Sequence, residues 1–251
     1  MQYTEQYMEI LGAKIHYIEQ GAGDPILFLQ GIPTSCYVWS KIFPFLAPLG
    51  NCIAPDLIGV GKSDKPDITY TLEEHICYIE KFIEAKKLKN ITLVMHGWGS
   101  LIGLHYALRH ENNCKGLVFY EAFLRPVKDN DFSLLFQEEA ASTEKSGEKI
   151  LAQYWKELPK GDGKSKGDHF LEEYAKKLSQ SLLPKLLLYS VPGFITTIAT
   201  VVWAKEHLPN LELGDVGEEL HFAQEVHPQL MGELISAWLQ AVEQQQKSET
   251  L

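Results

Sequence analysis

The sequence predicts an α/β fold: a mostly parallel sheet of about eight strands, helices on both faces, and a shortened helical cap inserted late in the chain. Three observations predict it. Short continuous apolar runs (Ile26–Leu29, Ile91–Met95, Gly116–Tyr120) alternate with segments of helical periodicity, as expected for parallel strands buried on both faces. Several of these runs stop at loops marked by glycine or proline, where an open α/β sheet gathers its ligands. From Val127 to about Leu183 charge rises and the periodicity becomes helical around a loop from Lys160 to Gly167, which marks an insertion.

In chain order, Met8–Leu11 and Lys14–Glu19 read as a hairpin joined at Gly12, with Ile15 and Tyr17 facing in and His16 and Glu19 facing out. Ile26–Leu29 is a buried strand, followed by the loop Gln30–Ser35. Tyr37–Leu46 is a helix or helical turn with Trp39, Ile42, Phe43 and Leu46 inward. Cys52–Ala54 is a strand leading into Pro55–Asp64, where Asp56 serves as a turn residue binding local backbone N–H groups. Thr71 with Glu74 forms a capping box, and Leu72, Ile76, Ile79, Phe82 and Ile83 run down one helical face.

The next stretch is the most informative. Ile91–Met95 is an apolar strand, His96-Gly97-Trp98-Gly99-Ser100 is a tight corner, and Leu101, Leu104, His105 and Leu108 continue as an amphipathic helix to about His110. Strand, sharp turn and helix are the local plan of a nucleophile elbow, which holds one reactive side chain at its apex. Here the apex is Gly97, which has none. His96 is expected to point into the sheet, and Ser100 lies one helical turn past the apex in a chain without G-x-S-x-G.

Gly116–Tyr120 is a strand ending at Glu121. The insertion carries helical patterns at Phe132, Leu135 and Phe136, at Ile150, Leu151, Tyr154 and Trp155, and at Phe170, Tyr174 and Leu178, around a loop from Lys160 to Gly167. The sheet resumes at Lys185–Ser190, followed by a helix around Ile195–His207, a strand Leu211–Val216, a loop with His221, and a closing helix Pro228–Gln245. The expected division is a core of residues 1–126 and 184–251 with a cap of 127–183.

Composition narrows the function. A net charge of −10 excludes the basic field that nucleic acid or an anionic membrane requires. The lysines at 86, 87 and 89 and at 160, 164 and 166 read as a solvated helix end and a loop. Leu186–Ala204 is uncharged but broken by Pro192-Gly193, so it reads as strand, loop and helix rather than a membrane span. Cys36, Cys52, Cys77 and Cys114 show no paired spacing, which fits reduced thiols in a cytoplasmic protein with no metal site. No cofactor is expected, and the chain is expected to be a monomer or weak oligomer.

The loops starting at Gln30, Gly97, Glu121 and His221 all follow strands, and in that order would supply an oxyanion donor, a nucleophile, an acid and a base. From the residues alone, Glu121 fits an orienting acid or a surface carboxylate, and His221 a base or an ordinary loop histidine. Trp98 fits a packing residue under the cap.

QGIPTSCYVW, PDLIGVGKSDKP, VMHGWGS, FYEAFLRP, PKLLLYSVPG and LHFAQE, in this order, resemble the haloalkane dehalogenase branch of the α/β-hydrolase fold, which also includes a coelenterazine luciferase. The resemblance covers residues 8 to 243 apart from the cap. It implies that an Asp at the Gly97 position attacks a carbon bearing halide, forming an ester that a His-activated water hydrolyses. Carried onto this sequence, Glu121 takes the acid position, His221 the base position and Trp98 the halide-binding position. Ile32 replaces a second, Asn halide donor, and the backbone N–H groups of Ile32 and Trp98 form the oxyanion hole. The cap is shorter than is usual in the family, with the deficit near Gln153 to Leu158.

The resemblance therefore implies a haloalkane dehalogenase-like hydrolase, impaired or inactive because Gly97 replaces the nucleophile. Its ligand would be a small apolar molecule, a halogenated hydrocarbon or ester. Alternatives are an ester-type hydrolase using water activated by His221, a non-catalytic small-ligand-binding protein, and a luciferase-like monooxygenase.

Overall fold

The computed structural model describes residues 3–127, 145–160 and 163–249. Among them, eight strands form one sheet in the order β1-β2-β4-β3-β5-β6-β7-β8. The strands are β1 (Thr4–Ile10), β2 (Ala13–Gln20), β3 (Pro25–Leu29), β4 (Asn51–Pro55), β5 (Ile91–Gly97), β6 (Cys114–Ala122), β7 (Lys185–Pro192) and β8 (Leu211–Glu219). The β1–β2 and β2–β4 pairs are antiparallel, and every pair from β4 onward is parallel. The helices are α1 (Phe43–Leu46), α2 (Leu72–Ala85), α3 (Trp98–Ala107), α4 (Lys145–Glu157), α5 (Lys166–Leu178), α6 (Ile198–His207), α7 (Ala223–Val226) and α8 (Pro228–Glu249).

Alternation along the strands divides the interior into two layers. Leu27 and Leu29 of β3, Leu93 and Met95 of β5, and Leu117 and Phe119 of β6 join a core with α2, α3 and residues of α4 and α5. Ile26, Phe28, Val94, Val118 and Tyr120 face the opposite core, with Phe43 of α1 and Met231, Ile235 and Trp238 of α8. The two-sided burial expected of the apolar runs is present, because helices cover both faces of the parallel strands. The Thr71 capping box also forms: Thr71 Oγ1 accepts from the Glu74 N–H at 3.2 Å, and the Glu74 carboxylate accepts from the Thr71 N–H at 2.8 Å.

Several expectations need correction. His16 does not face solvent: it is 2% exposed, and its Nδ1 lies 2.8 Å from Asp56 Oδ2, because the loop after β4 folds over that face of β2. Lys86 is half-buried, with Nζ 3.0 Å from the Glu19 carboxylate and 4.4 Å from the Tyr17 ring centroid, so it is an ion-pair and cation–π partner rather than a solvated end. Lys166 opens α5 and pairs with Glu73 at 2.8 Å. Helix α3 is buried nearly all round rather than amphipathic, being packed between the sheet, α2 and α5. Strand β8 runs past Val216 to Glu219; its last residues are polar and glycyl, so alternation gave no sign of them. Helix α6 begins at Ile198, and the residues before it serve the site. Leu186–Ala204 is indeed β7, a loop and part of α6, and no helix among the described residues is long and apolar enough to cross a membrane. Phe132, Leu135 and Phe136 lie outside the described residues.

Besides the Lys166–Glu73 pair, several contacts among the described residues fasten the segment between β6 and β7 to the rest. Glu157 of α4, 3% exposed, accepts from the Leu72 N–H at 2.6 Å, which places a carboxylate at the positive end of α2. Lys149 pairs with Asp67 at 2.7 Å. Tyr174 of α5 bonds His105 Nδ1 of α3 at 2.7 Å. Arg109 can only donate, so His105 Nε2 accepts from it at 2.7 Å and Nδ1–H is the donor to Tyr174.

Candidate active site

β5 ends at Gly97, where φ is +53° and ψ −125°, and α3 begins at the next residue. The chain therefore turns through a conformation that side-chain-bearing residues rarely adopt. A Cβ built at Gly97 would meet only Gly31 Cα, at 3.4 Å, an ordinary contact. The turn has the strand–corner–helix shape of an elbow, with clearance for a Cβ among the described residues. The loop after β3 lies against it through Gly31. Ser100 is buried, donating its Oγ–H to the Gly97 carbonyl at 2.6 Å and accepting from the Phe123 N–H at 2.9 Å, so it braces the turn.

Glu121 is placed by an irregularity in β6. His96 pairs with Tyr120 and Gly97 with Ala122, which leaves Glu121 as the extra residue of a bulge, with φ +45°. A bulge re-aims a side chain, and here it aims a carboxylate into a closed cradle. Glu121 is 0% exposed, which rules out a surface carboxylate. Its oxygens accept from the N–H groups of Phe194 at 3.1 Å, Ile195 at 2.7 Å and Thr196 at 3.2 Å. Oε2 also lies 2.9 Å from His221 Nδ1. These donors stabilise the ionised carboxylate. Because Nδ1–H donates to it, Nε2 is the basic atom of the His221 ring.

The loop that carries His221 is pinned on both sides. His96 Nε2 lies 3.0 Å from the His221 carbonyl, so it carries the proton and donates. The two imidazoles stand with centroids 4.5 Å apart. Burial, and then the neighbouring His221, push the His96 pKa well below its ordinary value, so this ring stays neutral. Two residues beyond His221, the Ala223 N–H donates to Tyr120 Oη at 3.1 Å. Tyr120 stacks under His96 at 5.7 Å, and burial pushes its phenol up to about 12.

The structure thus brings Gly97, Glu121 and His221 together, with His96 as an additional brace. The roles of His96 and of the 193–196 loop escaped the sequence reading. Gly193, at φ +68°, was the available signal: a Cβ there would lie 2.5 Å from the Thr196 carbonyl and 3.3 Å from Glu121 Oε1, so only glycine lets this loop close on the acid. Trp98 is 1% exposed, its ring meeting Tyr154 edge-on at 5.0 Å, and its Nε1–H is a buried donor with no partner among the described residues. Ile32 is buried and offers no side-chain donor.

Asp56 has the structural part expected of it, accepting from the Cys36 N–H at 2.7 Å and the Lys62 N–H at 2.8 Å. With His16 and Cys36 it brings ligand-type atoms within 4.8 Å of one another. The carboxylate is already engaged by those two N–H groups and His16. Burial and then Asp56 push the Cys36 thiol strongly up, so the thiol stays protonated and the trio is a hydrogen-bonded brace.

Comparisons with known proteins agree with this geometry. A family profile for the alpha/beta hydrolase fold matches residues 24–209. A haloalkane dehalogenase of Agrobacterium fabrum is 34% identical over 270 residues, covering 91% of this chain and 89% of the relative. That span exceeds the 251 residues of this chain, so the relative carries residues with no counterpart here. A haloalkane dehalogenase of Mesorhizobium japonicum is 31% identical, covering 93% of this chain and 90% of the relative. Among solved structures, the haloalkane dehalogenase DatA from Agrobacterium tumefaciens superposes with a TM-score of 0.86 at 33% identity, over 96% of this chain and 97% of that one. A loop variant of the haloalkane dehalogenase DbeA from Bradyrhizobium elkanii gives 0.89 at 27% identity, over 99% and 100%.

Proposed function

This chain belongs to the haloalkane dehalogenase family of the α/β-hydrolase fold, and from that membership we propose that it is a dehalogenase-like hydrolase whose carbon–halogen chemistry is impaired or absent. One observation carries the proposal: an elbow of retained shape stands beside a hydrogen-bonded Glu121–His221 pair, and its apex residue, Gly97, has no side chain.

In the family reaction a carboxylate displaces halide and is then released from its ester by water. Here the first step lacks its oxygen. The second step's apparatus is present: Glu121 holds the His221 ring by Nδ1, and Nε2 is left to take a proton from water. Trp98 Nε1–H, buried and without a partner among the described residues, is suited to receive a leaving halide, while Ile32 supplies only its backbone N–H. Residues 127–183 act as a cap over a core of 1–126 and 184–251, and the ligand is a small apolar molecule, a halogenated hydrocarbon or ester. Unpaired thiols suit a cytoplasmic, monomeric or weakly associating protein.

Loss of a triad nucleophile lowers turnover by about 10^6-fold in a serine protease. Chloride or bromide release by the purified protein from a panel of chloroalkanes and bromoalkanes is therefore expected not to exceed the protein-free rate, and release well above it would refute the proposal. The intact Glu121–His221 pair favours a second reading, slow ester hydrolysis by activated water. Turnover of p-nitrophenyl acetate that disappears in His221→Ala supports that reading, and turnover indifferent to the substitution removes it.

A further inference from the structure

We propose that the free edge of β8 takes up an extended, lysine- or arginine-bearing segment of another protein as a ninth strand of the sheet. β8 ends the sheet on its side, with β7 as its one neighbour. The edge is built without Gly97, Glu121 or His221, so a strand can dock there whether or not any substrate is turned over.

The backbone supplies the attachment. The Lys185 N–H donates to the Asn210 carbonyl at 2.8 Å, which turns that residue toward β7. Backbone groups alternate sides along a strand, so those of Glu212 and Gly214 also face β7, and the N–H and C=O groups of Leu211, Leu213 and Asp215 point away from the sheet. These outward groups have no hydrogen-bond partner among the described residues. The next outward N–H, that of Gly217, is taken by Asp215 Oδ1 at 2.8 Å, which ends the open stretch. No lysine or proline, the residues that commonly guard an edge, occurs in β8. Leu213 is exposed in the middle of the open stretch.

Charge selects the occupant. The charged residues of β8 are Glu212, Asp215, Glu218 and Glu219, all acidic, and none has an ion-pair partner among the described residues. Alternation puts Glu212 on the face of the buried Gly214 and Val216, and Asp215 on the face of Leu211 and Leu213, so a docked strand meets a carboxylate on each face. At the far end of the strand, Val191, Pro192, Glu218, Glu219 and Leu220 line a shallow depression that joins two carboxylates to apolar walls. It suits a lysine or arginine whose aliphatic stem lies along Val191 and Leu220 while the charged head reaches a carboxylate. A second copy of this chain is a poor occupant. Antiparallel pairing of β8 with itself about Leu213 would gather the Glu212 and Asp215 carboxylates of both copies on one ladder, between molecules that each carry a net charge of −10. Main-chain hydrogen bonds thus hold the docked strand, and its cationic side chains decide which strand is held.

The probe is a blocked, fluorescein-labelled peptide of alternating lysine and valine, about six residues long, titrated with the full chain by fluorescence anisotropy. Two control peptides carry glutamate in place of lysine, or keep the lysines and are methylated on every peptide nitrogen, which preserves charge and removes the donors. The lysine peptide should bind saturably and at least about tenfold more tightly than either control. The backbone amide signals that it shifts in the protein's nuclear magnetic resonance spectrum should be those of β8 and Leu220. Glu212→Gln with Glu218→Gln should weaken binding by about tenfold, and Leu213→Pro, which removes an outward N–H, should abolish it. The methylated peptide on the wild type keeps the test decisive should Leu213→Pro fold poorly. Equal binding of the methylated and unmethylated lysine peptides would mean diffuse attraction to an acidic surface and overturns the proposal, as does the lack of saturable binding or a set of shifts away from β8. Sedimentation of the protein alone should show a monomer; a dimer that the lysine peptide takes apart would make a second copy the occupant and overturn the proposal as well.

Discussion

Gly97 and Glu121 both sit at positive φ, at +53° and +45°, on neighbouring strands of the same sheet. Such conformations store roughly 1–3 kcal/mol when a side chain is present. Glu121 keeps its side chain, held by three N–H donors and a histidine. At Gly97 the same region of φ carries no side-chain strain. Restoring a side chain should therefore be tolerated: Gly97→Asp is expected to unfold in urea with stability lowered by about 1–3 kcal/mol and an unchanged slope. A much larger loss would mean that the turn no longer accepts a Cβ. At this scale the sequence was readable where a charged residue closes an apolar run, as with Glu121 near the end of β6. It was not readable where orientation decides. His16 looked outward by alternation yet is buried, because a strand covered on both faces has no solvent side. The bond from His96 to the His221 carbonyl joins residues 125 apart in sequence, and no local pattern encodes it.

At the scale of elements, the site is an assembly of strand ends corrected by local irregularities. The bulge in β6 turns Glu121 inward, and the tight loop after β7 brings three N–H groups to it, which delays α6 to Ile198. Strand and helix existence was legible from apolar runs, caps and glycine corners. The bulge and the cradle were not, because each depends on how two strands register. The insertion between β6 and β7 was legible only as helical and charged, and its attachment depends on single contacts. Glu157 is the deepest of these, a buried carboxylate on the first N–H of α2. Glu157→Ala should lower stability by about 1–3 kcal/mol in urea denaturation, since it leaves a buried N–H unpaired at a helix terminus. Amide exchange should quicken first in α4 and the start of α2. A neutral outcome on both counts would show that the contact does not fasten the insertion.

For the whole molecule, two cores on opposite faces of one sheet make unfolding a single process into which buried ionisable groups feed. His75 of α2 is 1% exposed with neither ring nitrogen partnered among the described residues, and burial lowers its pKa from 6.5 to about 4. The folded-state value is the lower one, so between pH 6.5 and about 4 the unfolded chain takes up a proton that the folded chain refuses. The stability this contributes is complete above pH 6.5 and is lost as the pH falls toward about 4, by about 3 kcal/mol in all. Denaturant midpoints measured from pH 8 to pH 4.5 should fall accordingly, and His75→Leu should flatten the fall. The variant's curve running parallel to the wild type would assign the acid sensitivity elsewhere.

The family was legible from ordered motifs spread over most of the chain, and the fold agrees with it from hairpin to closing helix. Whether such a scaffold still holds a working site depends on one position. The most direct measurement is bromide release from 1-bromobutane, by ion chromatography, for the wild type and for Gly97→Asp alone and with Ile32→Asn. The wild type is expected to release none, Gly97→Asp to release bromide, and the double variant to release more. Release by the wild type, or silence from a folded Gly97→Asp protein, would contradict that expectation.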